Sequence, residues 1–220
     1  MKQTLQNAYN FLKCYAQIKK QNTLDKALDF AFSNKAIKPI QVREEFESLL
    51  AYVKKNNPKI VVEIGTAKGG TLFMLSRAVS DDAILISIDQ TTSIFRVFLY
   101  KAFRRNGQMI RLIRKDSHSN DTLDNLKKIL DGKNIDFIFI DGDHTYEGVK
   151  KDFEMYSPLV EKGMIAFHDI LPQRKENRCE VQKFWNEIKS NYKHEEPTRI
   201  FWSILAIYFM KQIKLFLFIA

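Results

Sequence analysis

The spacing of apolar residues along this 220-residue chain changes once, at Asn57-Pro58. Ahead of it, YNFLKCYAQIKK and VREEFESLLAYVKKN carry apolar residues three and four apart, the period of helices with one buried face, and Pro39 separates the two blocks. Asn57 is pushed out of the α region by the following proline, which ends the second helix. Beyond it the apolar runs are short and β-branched: KIVVE at 59–63, ILISID at 84–89, MIRLI at 109–113, IDFIFID at 135–141 and GMIAFHD at 163–169. Their starts lie 25 to 28 residues apart, which leaves room for one strand and one crossover helix. GGTLFMLSRAV, NDTLDNLKKIL and YEGVKKDFEMYSPLV supply such helices. Repeated right-handed βαβ units predict an α/β fold: a Rossmann-like, doubly wound, mostly parallel sheet with helices on both faces.

The expected organisation is an N-terminal helical extension or cap over 1–57, a main domain over 58–210 and an apolar tail over 211–220. Two further strands are expected near 199–209. IFWSILAIYFM fits one of them, and KLFLFIA is the candidate for the other, or for a contact with a membrane or a partner subunit. The segment TTSIFRVFLYKAFRRNGQ reads as a crossover helix burying Phe95, Phe98, Leu99 and Phe103; closure over a site is its second reading.

Ligand sites of open α/β sheets lie at the carboxyl ends of the strands, and there the polar residues gather. Glu63-Ile64-Gly65-Thr66-Ala67-Lys68-Gly69-Gly70 joins the first strand to a helix, with glycines for a tight turn and amides for hydrogen bonding. A nicotinamide turn reads G-x-G-x-x-G; Gly65 and Gly70 fit its ends, but Ala67 holds the middle place. Glu63 can accept from an ammonium group, so the turn suits a cofactor with an amino acid end. Asp89, closing the second strand, is placed for the two hydroxyls of a ribose, and Asp116-Ser117, closing the third, for an adenine. Thr66, Lys68, Gly69 and Asp141 are assigned to the same cofactor site. Three of the four histidines, His118, His144 and His168, follow strands and have acidic neighbours.

Composition changes this picture little. Two distant cysteines, Cys14 and Cys179, suit a reducing compartment and exclude a disulfide framework, and MKQTLQNAYNFLKCYAQIKK lacks a continuous apolar stretch. A cytoplasmic protein is expected. The net charge of +9 reads as scattered, solvated helix faces plus attraction for an anionic ligand. No nucleic-acid partner is expected, because stacking aromatics beside a basic strip are not evident. Phe201 to Ala220 is apolar but broken by Lys211 and Lys214, too short an uninterrupted run to span a bilayer. It reads as a terminal strand pair, with an interfacial anchor as the alternative. A homo-oligomer is compatible with all of this.

From Glu44 to Trp185 the chain resembles the class I S-adenosylmethionine (SAM)-dependent methyltransferases. Within them it is similar to the group containing cephalosporin hydroxylase-like and macrolide sugar O-methyltransferases. VVEIGTAKGGT, ISIDQ, RKDSHS, FIFIDGDHTYEGVKKD and MIAFHDI carry the resemblance, the last two most specifically. It implies that Glu63, Gly65, Asp89, Asp116 and Ser117 contact SAM and that the acceptor is a saccharide, glycoside or other small hydroxylated molecule. In metal-dependent relatives, carboxylates ending strands four and five hold a divalent cation, usually magnesium. Asp141 and Asp169 match those places, while His168 stands where some relatives carry a second carboxylate. Imidazole would shift the preference from Mg2+ toward Mn2+, iron or zinc. His144, with Asp141, is the catalytic candidate: a base that takes the hydroxyl proton as oxygen attacks the methyl. Two rival readings are a glycosyltransferase using Asp141-Gly142-Asp143 as a metal motif and a nucleic-acid methyltransferase.

Overall fold

A computed structural model describes residues 2–171, 178–195 and 205–209. Five strands stand where the apolar runs place them: β1 (Ile60–Ile64), β2 (Ile84–Ile88), β3 (Met109–Ile113), β4 (Phe137–Ile140) and β5 (Met164–His168). They pair in parallel in the order β3-β2-β1-β4-β5. Every residue of β1, β4 and β5 is buried, as expected of strands with helices on both faces, whereas edge strand β3 leaves Met109 and Arg111 exposed.

Two short strands, β6 (Lys193–Glu195) and β7 (Leu205–Phe209), complete the sheet antiparallel, with β7 between β5 and β6. β7 falls inside IFWSILAIYFM, but its partner precedes the expected range. Lys193-His194-Glu195 is polar, and only its backbone pairing with β7 makes it a strand. His194 is half-buried with its ring edge-on to Trp185 at 5.3 Å. KLFLFIA and the rest of the tail from 210 to 220 lie outside the described residues. Among the described helices none is long and apolar enough to cross a membrane.

Two apolar layers enclose the sheet. On one face pack α1 (Lys2–Ile18), α2 (Leu24–Ser33), α3 (Arg43–Asn56), α4 (Gly70–Ala78) and α5 (Ile94–Ala102). Cys14, Leu28, Phe46 and Leu49 share one core there with Val61, Leu85 and Phe139 of the sheet. On the other face lie α6 (Asn120–Leu130), α7 (Tyr146–Tyr156) and α8 (Val181–Ile188), with Leu126, Phe153 and Trp185 against Val62, Ile138 and Phe167. The N-terminal segment thus supplies part of one layer. It holds three helices rather than the two the periodicity marks; Thr23, whose side chain accepts from the Lys26 amide, caps the additional one, α2.

The α5 reading is half right. Leu99 and Phe103 are buried, but Phe95 and Phe98 point outward, 73% and 65% exposed. Buried Arg77 ties this side of the fold together: Nε donates to the Gln21 carbonyl at 2.6 Å and Nη2 to the Ile18 carbonyl at 3.3 Å, while Nη1 donates to the Phe103 carbonyl. One guanidinium therefore serves carbonyls where both α1 and α5 end.

Candidate active site

The turn after β1 is shaped by what presses on it. A Cβ at Gly65, where φ is +89°, would stand 2.0 Å from the Asp141 carbonyl oxygen, and one at Gly70 would stand 2.1 Å from that of Ile37. The turn can therefore lie flat against the end of β4 on one side and the N-terminal segment on the other. Ala67, in the middle position of the glycine pattern, adopts φ +46°, a conformation uncommon for a residue with a side chain. Asp89 secures it: Oδ2 accepts from the Thr66 and Ala67 amides at 3.0 and 2.8 Å, and Oδ1 accepts from the Thr91 amide and hydroxyl, each at 2.6 Å. Tyr100, reaching from α5, donates to the Ala67 carbonyl at 2.7 Å.

A cavity of about 940 Å³ opens along the carboxyl edge of the sheet, large enough for a nucleoside cofactor and a small second molecule. Gly65, Thr66, Lys68, Asp89, Asp116, Ser117, Asp141, His144, His168 and Asp169 all border it. Glu63 and Gly69 stand behind its wall, Gly69 as the N-cap of α4. Glu63 is fully buried beside Ile64 and Gly65, and neither carboxylate oxygen has a hydrogen-bond partner. Burial, reinforced by Asp141 and Asp89 and opposed by the nearby Thr66 side chain, pushes its carboxyl well above the usual carboxylate range. At the third strand end, the His118 amide donates to Asp116 Oδ1 at 3.0 Å. The His118 Nε2 lies 3.1 Å from the Gly148 carbonyl and 3.3 Å from Asp152 Oδ1.

At the other end of the cavity two carboxylates and two imidazoles converge. His144 Nε2 lies 3.1 Å from Asp141 Oδ1 and its Nδ1 2.9 Å from Asp169 Oδ2; His168 Nδ1 is 3.2 Å from Asp141 and 3.3 Å from Asp169. Asp141 and then Asp169 hold the His144 imidazole up at about 12, against an ordinary 6.5. For His168 burial opposes the charge, yet Asp141 and Asp169 carry it to about 10. Against the same opposing burial, the two rings draw both carboxyls down. Thr145 caps α7, accepting from the Gly148 amide at 3.0 Å. Asp143 does not join Asp141: its Oδ1 accepts from the Thr145 amide at 2.9 Å, and its side chain packs over Gly148. The paired-carboxylate geometry of a nucleotide-sugar metal motif is thus absent from Asp141-Gly142-Asp143.

A family model described as a methyltransferase domain matches residues 62–170, the span from β1 through β5. This chain carries a methyltransferase domain. Solved structures of the same fold include the O-methyltransferase TomG from Streptomyces achromogenes, involved in tomaymycin synthesis and in complex with SAM. It has a TM-score of 0.61 at 14% identity, with 86% of this chain and 89% of that chain covered. An O-methyltransferase from Bacillus cereus in complex with SAH (S-adenosylhomocysteine) has a TM-score of 0.59 at 17% identity, covering 86% and 90%. The uncharacterized protein R132 of Acanthamoeba polyphaga mimivirus is 34% identical over 115 residues, 49% of this chain and 50% of that one. The chain therefore spans about half the length of that relative.

Two residues of the site were not legible in the sequence. Gln41, from the segment ahead of α3, donates to Asp141 Oδ2 at 2.6 Å across 100 residues of sequence. Cys179 stands beside His144 and Asp169, so that ligand atoms of these three lie within 4.8 Å of one another, as do those of Asp141, His144 and His168. Neither residue belongs to a local motif. Pro39 gave one faint signal, a chain break ahead of Gln41 that turns the segment over the sheet edge.

Proposed function

We propose that this methyltransferase uses SAM to methylate a hydroxyl oxygen of a saccharide, glycoside or other small hydroxylated acceptor, with a divalent cation assisting. The observation that carries the reading is one cavity with two chemically distinct ends. At one end Asp89 braces the glycine turn, Asp116 and Ser117 line the same wall and buried Glu63 stands behind it; at the other Asp141, His144, His168 and Asp169 converge. The orphaned, buried Glu63 carboxylate fits a cofactor that brings positive charge to the turn, because an ionised carboxylate is stable there only beside a cation. SAM supplies that charge and an electrophilic methyl; the acceptor oxygen takes the methyl, the C–S bond breaks, the thioether leaves and the hydroxyl proton passes to a base.

Two trios that share His144, Asp141-His144-His168 and His144-Asp169-Cys179, each bring donors of the right type close enough for a divalent cation, and a cation bound by His144 would leave that ring no role as base. Two imidazoles and a thiol favour Mn2+, iron or zinc over Mg2+. A bound cation would lower the acceptor hydroxyl's pKa and help orient it. Charge decides the role of His144. Both ring nitrogens face carboxylates, and as an imidazolium the residue holds a proton rather than taking one. His144 can act as base only when positive charge other than its own neutralises Asp141 and Asp169; otherwise it orients them. Gln41 keeps Asp141 aimed at the cavity in either case.

The test is release of SAH by purified protein with a panel of glycosides, phenols and nucleic acids, with and without Mn2+ after chelation. Turnover of a hydroxylated small acceptor that is lost on chelation and restored by Mn2+ is expected. Methylation confined to nucleic acid, or turnover indifferent to chelation, would refute the acceptor and metal assignments respectively.

A further inference from the structure

The positive charge is not scattered. Residues 1–24 contain four lysines and no acidic residue, and residues 90–115 contain seven Lys or Arg and no acidic residue. Together these two stretches account for more than the whole net charge of +9; the remaining chain is close to neutral. In the sequence they are 65 residues apart, but in the fold α1 and α5 lie side by side, with Lys19 Nζ donating to the Arg104 carbonyl at 3.0 Å and Arg77 bridging their ends. Lys13, Lys19, Lys20, Lys101 and Arg104 are all exposed. Burial first, then Arg77 and Arg104, lowers the Lys19 pKa, as a crowd of like charges should.

The same two helices hold most of the exposed large apolar side chains among the described residues. α1 presents Tyr9, Leu12 and Tyr15 outward although Cys14 and Ile18 already bury its inner face; α5 presents Ile94, Phe95 and Phe98 although Leu99 and Tyr100 already bury its own. A soluble helix has one apolar face, so a second one needs an occupant. We propose that the α1/α5 face docks on an anionic membrane surface, its apolar side chains entering the interface and its flanking cations meeting lipid phosphates.

Charge complementarity selects this occupant. Lysines that make no ion pair among the described residues, beside aromatic and aliphatic side chains, suit anionic headgroups above acyl chains. A second copy docked face to face would set cation against cation. Nucleic acid would use the lysines but leave Ile94 and Leu12 without a role. The placement also matters for the cavity. Arg96 Nη1 donates to the Ala36 and Lys68 carbonyls at 3.2 and 3.1 Å, joining the first turn of α5 to the cavity rim, where Ile40 is 86% exposed. Docking would bring the cavity mouth close to the bilayer, within reach of an acceptor carried there. Vesicle binding is measured without cofactor or acceptor, so the proposal stands or falls apart from methyl transfer.

The experiment is flotation of the full chain with phosphatidylcholine vesicles and with vesicles in which about one third of the lipid is phosphatidylglycerol. Binding to the anionic vesicles only, weakened by salt, is expected. Phe95→Ser/Phe98→Ser and Lys13→Glu/Lys101→Glu, all at exposed positions, should each weaken it by ~10-fold or more while the melting temperature stays near wild type. Equal binding to neutral vesicles would overturn the proposal, as would unchanged binding by both double variants, which would point to the C-terminal tail. So would a dimer that the variants dissociate, or binding to RNA but not to vesicles.

Discussion

Glu45 shows how one buried carboxyl can leave a signature on the whole protein. It is 3% exposed on α3, and its Oε1 has no hydrogen-bond partner. Burial, opposed by His168 and aided by Glu44 and Asp169, pushes its carboxyl up from 4.5 to about 7. The folded state therefore keeps a proton that the unfolded chain releases. This group costs nothing below about pH 4.5, and it destabilises increasingly as pH rises to about 7. Glu45→Gln should flatten that limb of the stability profile and add on the order of 2 kcal/mol near pH 8. Urea midpoints for both proteins at about pH 5 and about pH 8 check it; parallel profiles would count against it. At the site itself, His144→Ala should cut turnover by roughly 10²–10⁴-fold while SAH affinity stays near wild type. Isothermal titration beside steady-state rates separates the two, and unchanged turnover would remove His144 from the chemistry. The identity of the polar strand-end residues was readable because strand ends and ligand edge coincide. That His144 sits between two carboxylates was not, since Asp169 reaches it from the end of β5, itself at φ +63°, rather than through any spacing in the chain.

Arg77 is the most exacting residue for the elements around it. Removing its guanidinium leaves the buried or half-buried carbonyls of Ile18, Gln21 and Phe103 without that donor, so Arg77→Met should cost about 2–4 kcal/mol. The loss should concentrate on α1: faster amide exchange there than in β1 or β4 is expected, and uniform exchange across the chain would show that α1 does not depend on this anchor. The elements divide cleanly by legibility. β1, β4 and β5 announce themselves because strands buried on both faces must be apolar throughout. α2 does not, being ten residues long with its start set by Thr23. β6 does not, because a polar tripeptide becomes a strand only through β7. Phe95 and Phe98 misled by chemistry: apolar residues on a crossover helix imply burial, and here their helix already buries another face.

At the scale of the molecule, the sheet acts as a device for collecting distant residues. Gln41, Glu63, Asp89, Asp116, Asp141 and Asp169 are spread over more than half the sequence, yet they stand at or directly behind one cavity because parallel strands all end on the same side. The N-terminal segment is part of that arrangement, lending Lys38, Pro39, Ile40 and Gln41 to the cavity wall while Lys13, Lys19, Lys20, Lys101 and Arg104 stand exposed on and just beyond α1 and α5. The central claim is that this cavity receives a sulfonium nucleoside, and thermal unfolding with SAH, NAD and a UDP-sugar in parallel tests it most directly. SAH at about 100 times its dissociation constant should stabilise by about 2.7 kcal/mol and raise the melting temperature by roughly 5–10 °C, with the other two ligands inert. A melting temperature that SAH leaves unmoved while NAD or the UDP-sugar raises it would contradict the claim.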